Sequence, residues 1–174
     1  MGAPSHKILQ RGHAVYPGSF DVLTYGHLDI MRRASTIFQR LTVAVAYNPS
    51  KREPLFSAAE RVAMIREAVA DIPNVDACEF VGLTVDFSRQ IGAQVIVRGL
   101  RAVSDFEFEL QMAMMNESVN PEIVTVFMAP APAYSFLSSS IVKEIARFGG
   151  DVSAYVPPHV AERLVQRLRE NGQQ

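Results

Sequence analysis

The sequence predicts an α/β fold: a doubly wound, Rossmann-like five-stranded parallel sheet closed by a C-terminal amphipathic helix. Three observations carry that prediction. Short β-branched runs alternate with stretches of helical period, the strand candidates are nearly continuous in apolar residues, and polar clusters follow the strands instead of interrupting them. Strands buried on both faces and joined by helices close into a parallel sheet with right-handed crossovers.

Taken in order, the predicted strands span 13–16, 41–47, 75–80, 94–98 and 123–128. Thr24-Tyr-Gly-His27 opens the helix after the first strand. The next helix starts at Ser57 with the capping box Ser-Ala-Ala-Glu60, and a second box, Ser-Asp-Phe-Glu107, is expected to start a helix at Ser104. Gly92 and Gly149-Gly150 stand where helices should stop. In the helix from Ser104, Phe106, Leu110, Ala113 and Met114 share one face, and Phe108, Met112 and Met115 a nearly opposite one. One face is expected to serve the core, which leaves the other to a neighbouring subunit and implies a homo-oligomer. After Pro157-Pro158, Val160, Ala161, Leu164, Val165 and Leu168 keep the spacing of one apolar stripe. The organisation expected is a flexible extension over 1–12 and a single domain over 13–170.

Composition excludes several function classes. With 174 residues, 48% of them hydrophobic, the chain suffices for one sizeable core. A net charge of -1 offers no global attraction to nucleic acid or to an anionic membrane, so any bound anion must be met by local charge. The one cysteine, Cys78, rules out an internal disulfide framework and fits a small apolar packing residue, while the four histidines lack metal-ligand spacing. There is no secretory h-region and no run of membrane-spanning length, so a cytoplasmic location is expected.

The chemistry concentrates in Tyr16-Pro-Gly-Ser-Phe-Asp-Val-Leu-Thr-Tyr-Gly-His27 and Ser135-Phe-Leu-Ser-Ser-Ser-Ile-Val-Lys-Glu144. Each reads as a strand, a small-residue loop and a helix N-terminus, where unpaired N–H groups and the helix dipole hold phosphate. Two such loops in one domain suggest a polyphosphate substrate. Open parallel sheets bind ligands beyond the carboxyl ends of their strands. Ser19 and His27 follow the first strand, Lys51 the second, Gly82-Leu83-Thr84 the third, Arg98-Gly-Leu-Arg101 the fourth and Ser138–Ser140 the fifth. The chain has neither the dinucleotide fingerprint nor a P-loop, and its serines lack the nucleophile elbow. What remains is a donor set suited to stabilising phosphoryl charge during direct displacement.

Thr24-Tyr-Gly-His27 is similar to the first signature of the T/H-x-G-H nucleotidyltransferase superfamily, and Leu137-Ser-Ser-Ser-Ile-Val-Lys-Glu144 to its second, serine-rich signature. The segments 16–20, 48–51, 97–107 and 149–153 resemble the phosphopantetheine adenylyltransferase family, and the likeness runs from about residue 13 to 168. The resemblance implies a nucleotidyltransferase fold and adenylyl transfer from ATP to 4'-phosphopantetheine, giving dephospho-coenzyme A and pyrophosphate. It implies Mg²⁺ with the phosphates, a hexamer, and coenzyme A as a candidate further ligand. Carried over by position, His27, Lys51, Arg98 and Ser19 would be catalytic. Ser19, Phe20, His27, Gly99, Leu100, Arg101, Glu109, Tyr134, Ser135, Phe136, Leu137, Ser138, Ser139 and Ser140 would bind ATP, and Ser19, Lys51, Thr84 and Arg98 the acceptor. Two alternatives stand beside this one: a related nucleotidyltransferase acting on nicotinate mononucleotide or glycerol phosphate, and a nucleotide-sensing module without turnover.

Overall fold

The computed structural model describes residues 12–47, 54–101 and 103–172, with backbone alone for 103–105. The extension expected over 1–12 lies outside the described residues except for Gly12, and so does Lys51. Five strands, β1 (His13–Gly18), β2 (Arg40–Ala46), β3 (Val75–Phe80), β4 (Val95–Gly99) and β5 (Val124–Met128), form one sheet in the order β3-β2-β1-β4-β5. All neighbours are parallel, and the winding reverses between β1 and β4. The connecting helices are α1 (Tyr25–Ile37), α2 (Ala58–Ala68), α3 (Thr84–Gln90), α4 (Val103–Val119) and α5 (Ser139–Arg147), with α6 (Pro158–Asn171) last.

Alternating strand residues feed opposite faces, as the two-residue period of a strand requires. Ala14 and Tyr16 of β1, Leu41, Val43 and Val45 of β2, and Val95 and Val97 of β4 enter the main core with buried side chains of α1, α2, α5 and α6. Val15 and Ala44 point the other way, onto Phe80, Phe87 of α3 and Ile91 just past its end, while Ile96 meets Val85 and Ile123. Helices on both faces explain why these strands are apolar throughout.

The pairing between β1 and β4 is what opens the site. It holds for Ala14 with Val95 and Val15 with Ile96, whereas β1 stays in register with β2 as far as Gly18 and Val45. Pro17 brings no N–H to a further rung, and the two strands separate beyond Val15. A crevice at the switch point results.

Several local expectations hold. Ser57 and Glu60 form the reciprocal box, with Glu60 N–H on Ser57 Oγ and Ser57 N–H on Glu60 Oε2 at 2.8 Å. Gly92 and Gly149 take φ of +71° and +76° just past α3 and α5. On α6, Val160 and Leu164 are fully buried, and Ala161 and Leu168 pack against the core.

Two expectations are corrected. Because α4 already begins at Val103, two residues before the start that a cap at Ser104 implies, Ser104 falls inside its first turn. Neither face of α4 is taken up by the core either: Phe108, Met114 and Met115 are all 60% or more exposed, and Phe106, Leu110 and Met112 are exposed as well. Among the described side chains of α4 the buried one is Glu109, which lines the crevice.

Candidate active site

A cavity of about 300 Å³ occupies the crevice beyond the carboxyl ends of β1 and β4. Its walls are the loop after β1, the first turn of α1, the start of the loop after β4, and the N-terminus of α5. Ser19, Phe20, His27, Arg98, Gly99, Arg101, Glu109 and Leu137 through Ser140 all line it. Residues from both signatures, more than a hundred positions apart, therefore share one surface.

His27 is the third residue of α1 and completes a capping box with Thr24 in which a histidine takes the place usually held by glutamate. Thr24 N–H donates to His27 Nδ1 at 3.1 Å, the Thr24 hydroxyl lies 3.1 Å from the same atom, and His27 N–H returns to Thr24 Oγ1 at 3.4 Å. A backbone N–H can only donate, so Nδ1 must accept, and the neutral ring carries its proton on Nε2. Burial, and then the charge of Arg101, push the pKa of His27 down to about 4. The imidazole is a neutral donor at pH 7. It makes a T-shaped contact with Phe20, ring centroids 5.1 Å apart, and Phe20 in turn contacts Tyr16 at 5.3 Å.

Arg98 is held on two sides. Nε and Nη2 donate to the two carboxylate oxygens of Glu109, both at 2.5 Å, and Nη1 donates to the Pro17 carbonyl at 3.0 Å. A charge at the end of a buried strand needs a partner, which would suggest a ligand phosphate as that partner; here the partner is Glu109. Arg101 Nη1 donates to the Leu137 carbonyl at 2.9 Å and so ties the β4 loop to the serine loop.

The serine run caps α5. Ser138 is the N-cap, its hydroxyl accepting from Ile141 N–H at 3.2 Å, and Ser139 Oγ donates to the Val22 carbonyl at 2.7 Å. Among the described residues the N–H groups of Ser139 and Ser140 have no acceptor. They are the first-turn donors that a helix leaves for an anion. One turn on, Lys143 Nζ donates to the buried carboxylate of Asp21 at 2.7 Å, which also accepts Leu55 N–H and Phe56 N–H. The arrangement is a mixed anion site: cationic groups, backbone donors and hydroxyls around one neutral imidazole.

The profile of the cytidylyltransferase-like family matches residues 15–145. The phosphopantetheine adenylyltransferase of Heliobacterium modesticaldum is 60% identical over 154 residues, covering 88% of this chain and 91% of that one. The corresponding protein of Methylococcus capsulatus is 56% identical over 159 residues, covering 91% and 98%. The chain belongs to the phosphopantetheine adenylyltransferase family. By that membership it is an enzyme, a nucleotidyltransferase. A solved nicotinic acid mononucleotide adenylyltransferase of Plasmodium falciparum, complexed with NaAD, superposes with a TM-score of 0.66 at 14% identity, over 89% of this chain and 95% of that one, which bears on the fold alone.

Not every family position reaches the adenylyltransferase cavity. Thr84 is half-buried at the start of α3, away from this cavity, where its carbonyl accepts from Ser88 Oγ at 2.7 Å. Tyr134 stacks obliquely on Tyr25, Ser135 Oγ donates to Pro132 at 2.9 Å, and Phe136 meets Tyr155, all beside the cavity. Leu100 contributes a backbone N–H to Met128 O at 3.0 Å. Conversely, the cavity takes in Tyr16, Pro17, Thr24, Ile30 and Pro130, none of them anticipated as site residues. The spacing of Thr24 to His27 is a readable signal, since it is that of a capping box; Ile30 and Pro130 carry none.

Among the described residues no group of three or more His, Cys, Asp and Glu could hold a metal ion, and no helix is long and apolar enough to cross a membrane.

Proposed function

We propose that the enzyme transfers the adenylyl group of ATP to 4'-phosphopantetheine, releasing pyrophosphate and forming dephospho-coenzyme A, in the cytoplasm. An acceptor phosphate oxygen forms a bond to the α-phosphorus as the bond to the β-phosphate oxygen breaks, so no covalent enzyme intermediate arises. The observation that carries this reading is the convergence of His27, Arg98, Arg101 and the α5 N-terminus on one cavity. The acceptor is already an anion, and little general-base work is needed; a neutral donor at His27 Nε2 is suited to the charge developing on the α-phosphate. Arg101, the first-turn N–H groups of α5 and the Ser138 and Ser140 hydroxyls suit the β- and γ-phosphates, with Ser139 holding the loop through Val22, and Tyr134 to Leu137 suit the nucleotide beside them. Lys51 and Arg98, with Ser19, would offset repulsion between the acceptor phosphate and ATP, and Thr84 would border the pantetheine arm. The side chains lining the cavity are cationic or neutral apart from Glu109, which Arg98 occupies, so Mg²⁺ fits here as an ion carried on the ATP phosphates.

The test is pyrophosphate release from ATP and Mg²⁺ with 4'-phosphopantetheine, nicotinate mononucleotide or glycerol phosphate, with mass detection of the product. Release with 4'-phosphopantetheine alone is expected. Release with another acceptor would overturn the substrate, and ATP binding without turnover would favour a sensing module, for which coenzyme A is a candidate ligand.

The exposed apolar side chains on both faces of α4 support self-association, as a homohexamer on the family's pattern. Light scattering that gave a monomer at assay concentration would refute it.

A further inference from the structure

Arg61 of α2 is 2% exposed; it does not line the cavity that holds His27 and Arg98, but it bonds to the Ser19 carbonyl at that cavity's wall and lines an adjoining cavity with Ser19, Ser139 and Ser140. Among the described residues it has no carboxylate within ion-pair distance, and its guanidinium is satisfied by backbone carbonyls alone. Nε donates to Phe56 O at 3.0 Å and Ser57 O at 3.2 Å, and Nη1 to Ser19 O at 2.6 Å and, at the limit of a hydrogen bond, Ala46 O at 3.5 Å. These carbonyls belong to three separate stretches: the cap of α2, the loop after β1 and the end of β2.

We propose that Arg61 is a positioning residue for adenylyl transfer, setting the Ser19–Phe20 peptide and through it the Ser19 hydroxyl and the His27 ring. The Ser19 carbonyl and the Phe20 N–H are one rigid peptide unit, so a hydrogen bond at 2.6 Å to that oxygen fixes the plane from which φ of Phe20 is measured. Phe20 has φ of +48°, a left-handed conformation that an aromatic residue keeps only when its surroundings hold it there. The ring so placed meets His27 in a T-shaped contact, and among the described residues the imidazole's hydrogen bonds all go to Thr24. Burying a guanidinium is costly, and an apolar side chain of that length would fill the same volume more cheaply. What a methionine could not do is grip carbonyls from three segments in a planar fork.

This inference rests on the adenylyl-transfer reading, and the experiment separates the two. Arg61→Met, Arg61→Lys and a control, Met64→Ala, would be assayed with ATP and 4'-phosphopantetheine at a temperature where circular dichroism shows each folded. Met64 lies on the same helix, fully buried, and takes no part in the site. Misplacement of reacting groups by about an ångström costs on the order of a hundredfold. Arg61→Met is therefore expected to lose about ten- to a hundredfold in kcat with the KM for ATP within about threefold, since cavity donors remain, and Arg61→Lys to recover part of that loss. Met64→Ala should lose stability while keeping kcat within about twofold. Should Arg61→Met not fold, the same kcat-against-KM split is read from Arg61→Lys. Arg61 variants that are folded and turn over at the wild-type kcat would overturn the positioning role, as would a Met64→Ala enzyme slowed as much as Arg61→Met. Failure of wild type itself to turn over would instead overturn the adenylyl-transfer reading and this inference with it.

Discussion

Replacing His27 by alanine removes one donor from a cavity that keeps Arg98, Arg101 and the α5 N-terminus, and the structure sets the size of the expected effect. Nδ1 is committed to the Thr24 N–H, so Nε2 carries the only ring proton available for donation, and the ring is neutral down to about pH 4. Loss of one preorganised donor to a developing oxyanion costs about 2.7–4 kcal/mol, or roughly 10²–10³ in kcat. A neutral imidazole belongs at the lower end, so kcat should fall about a hundredfold while ATP affinity, held by the remaining groups, moves less than about threefold. His27→Gln keeps an N–H but not the ring geometry and should lie between the two. Steady-state pyrophosphate release gives kcat, and calorimetric titration with ATP gives affinity. A His27→Ala enzyme within about threefold of the wild-type kcat would refute the reasoning.

The same geometry predicts a pH dependence. Protonating His27 makes Nδ1 a donor facing the Thr24 N–H, which is also a donor, so the charged ring cannot keep the capping box. The folded-state pKa is depressed from 6.5 to about 4, so between those values the unfolded chain binds the extra proton. The contribution to stability is complete above about pH 6.5 and is lost progressively as pH falls toward 4. Urea midpoints measured from pH 7 to 4 should fall less steeply in His27→Ala than in wild type, and parallel curves would show that the ring does not titrate as described.

Three further perturbations test the frame around the site. A Cβ on Gly99 would sit 2.5 Å from Ile30 Cδ1, so Gly99→Ala should cost about 1–3 kcal/mol by overpacking, and Ile30→Val, which deletes that atom, should recover most of it in the double variant. Arg167 ties α6 to the start of α2 by pairing with Glu60, donating to Leu55 O at 2.7 Å and lying 4.9 Å over the Phe56 ring. Arg167→Ala should lose about 1–2 kcal/mol by urea denaturation, with Arg167→Lys recovering the charge but not the fork. Ser57→Ala removes the α2 N-cap and should cost about 1 kcal/mol, whereas Ser57→Gly should cost a few tenths; equal losses would deny the cap its role.

The frame was legible because its rules are local. Strand positions followed from apolar runs whose alternate members serve opposite faces, and helix ends from Ser57 and the two positive-φ glycines. The rule that ligands lie past the strand ends then brought Ser19, His27, Arg98, Arg101 and Ser138 to Ser140 together. What stayed hidden was the choice of partner across space. Nothing in the spacing of Arg98 and Glu109 distinguishes their ion pair from an Arg98 awaiting phosphate, since β4 and α4 meet only after folding. Likewise the period of α4 marks two apolar faces without saying that the isolated chain covers neither.

One pattern joins the legible part to the hidden part. Thr24-Tyr-Gly-His27 is at once the start of a helix and the holder of the proposed phosphate donor, because the capping box that nucleates α1 is also what selects the His27 tautomer. The serine run repeats the economy: Ser138 caps α5, Ser139 is spent on Val22 O, and the residues whose N–H groups the cap leaves over, Ser139 and Ser140, line the cavity. A substitution in either signature should therefore disturb stability and turnover together. One at Arg61, which braces the same loop from outside, should separate them by changing kcat more than the stability it costs would explain. Comparing Thr24→Ala with Arg61→Lys at matched urea midpoints would expose that difference, and identical kcat losses at equal stability would mean that the brace adds nothing beyond the cap.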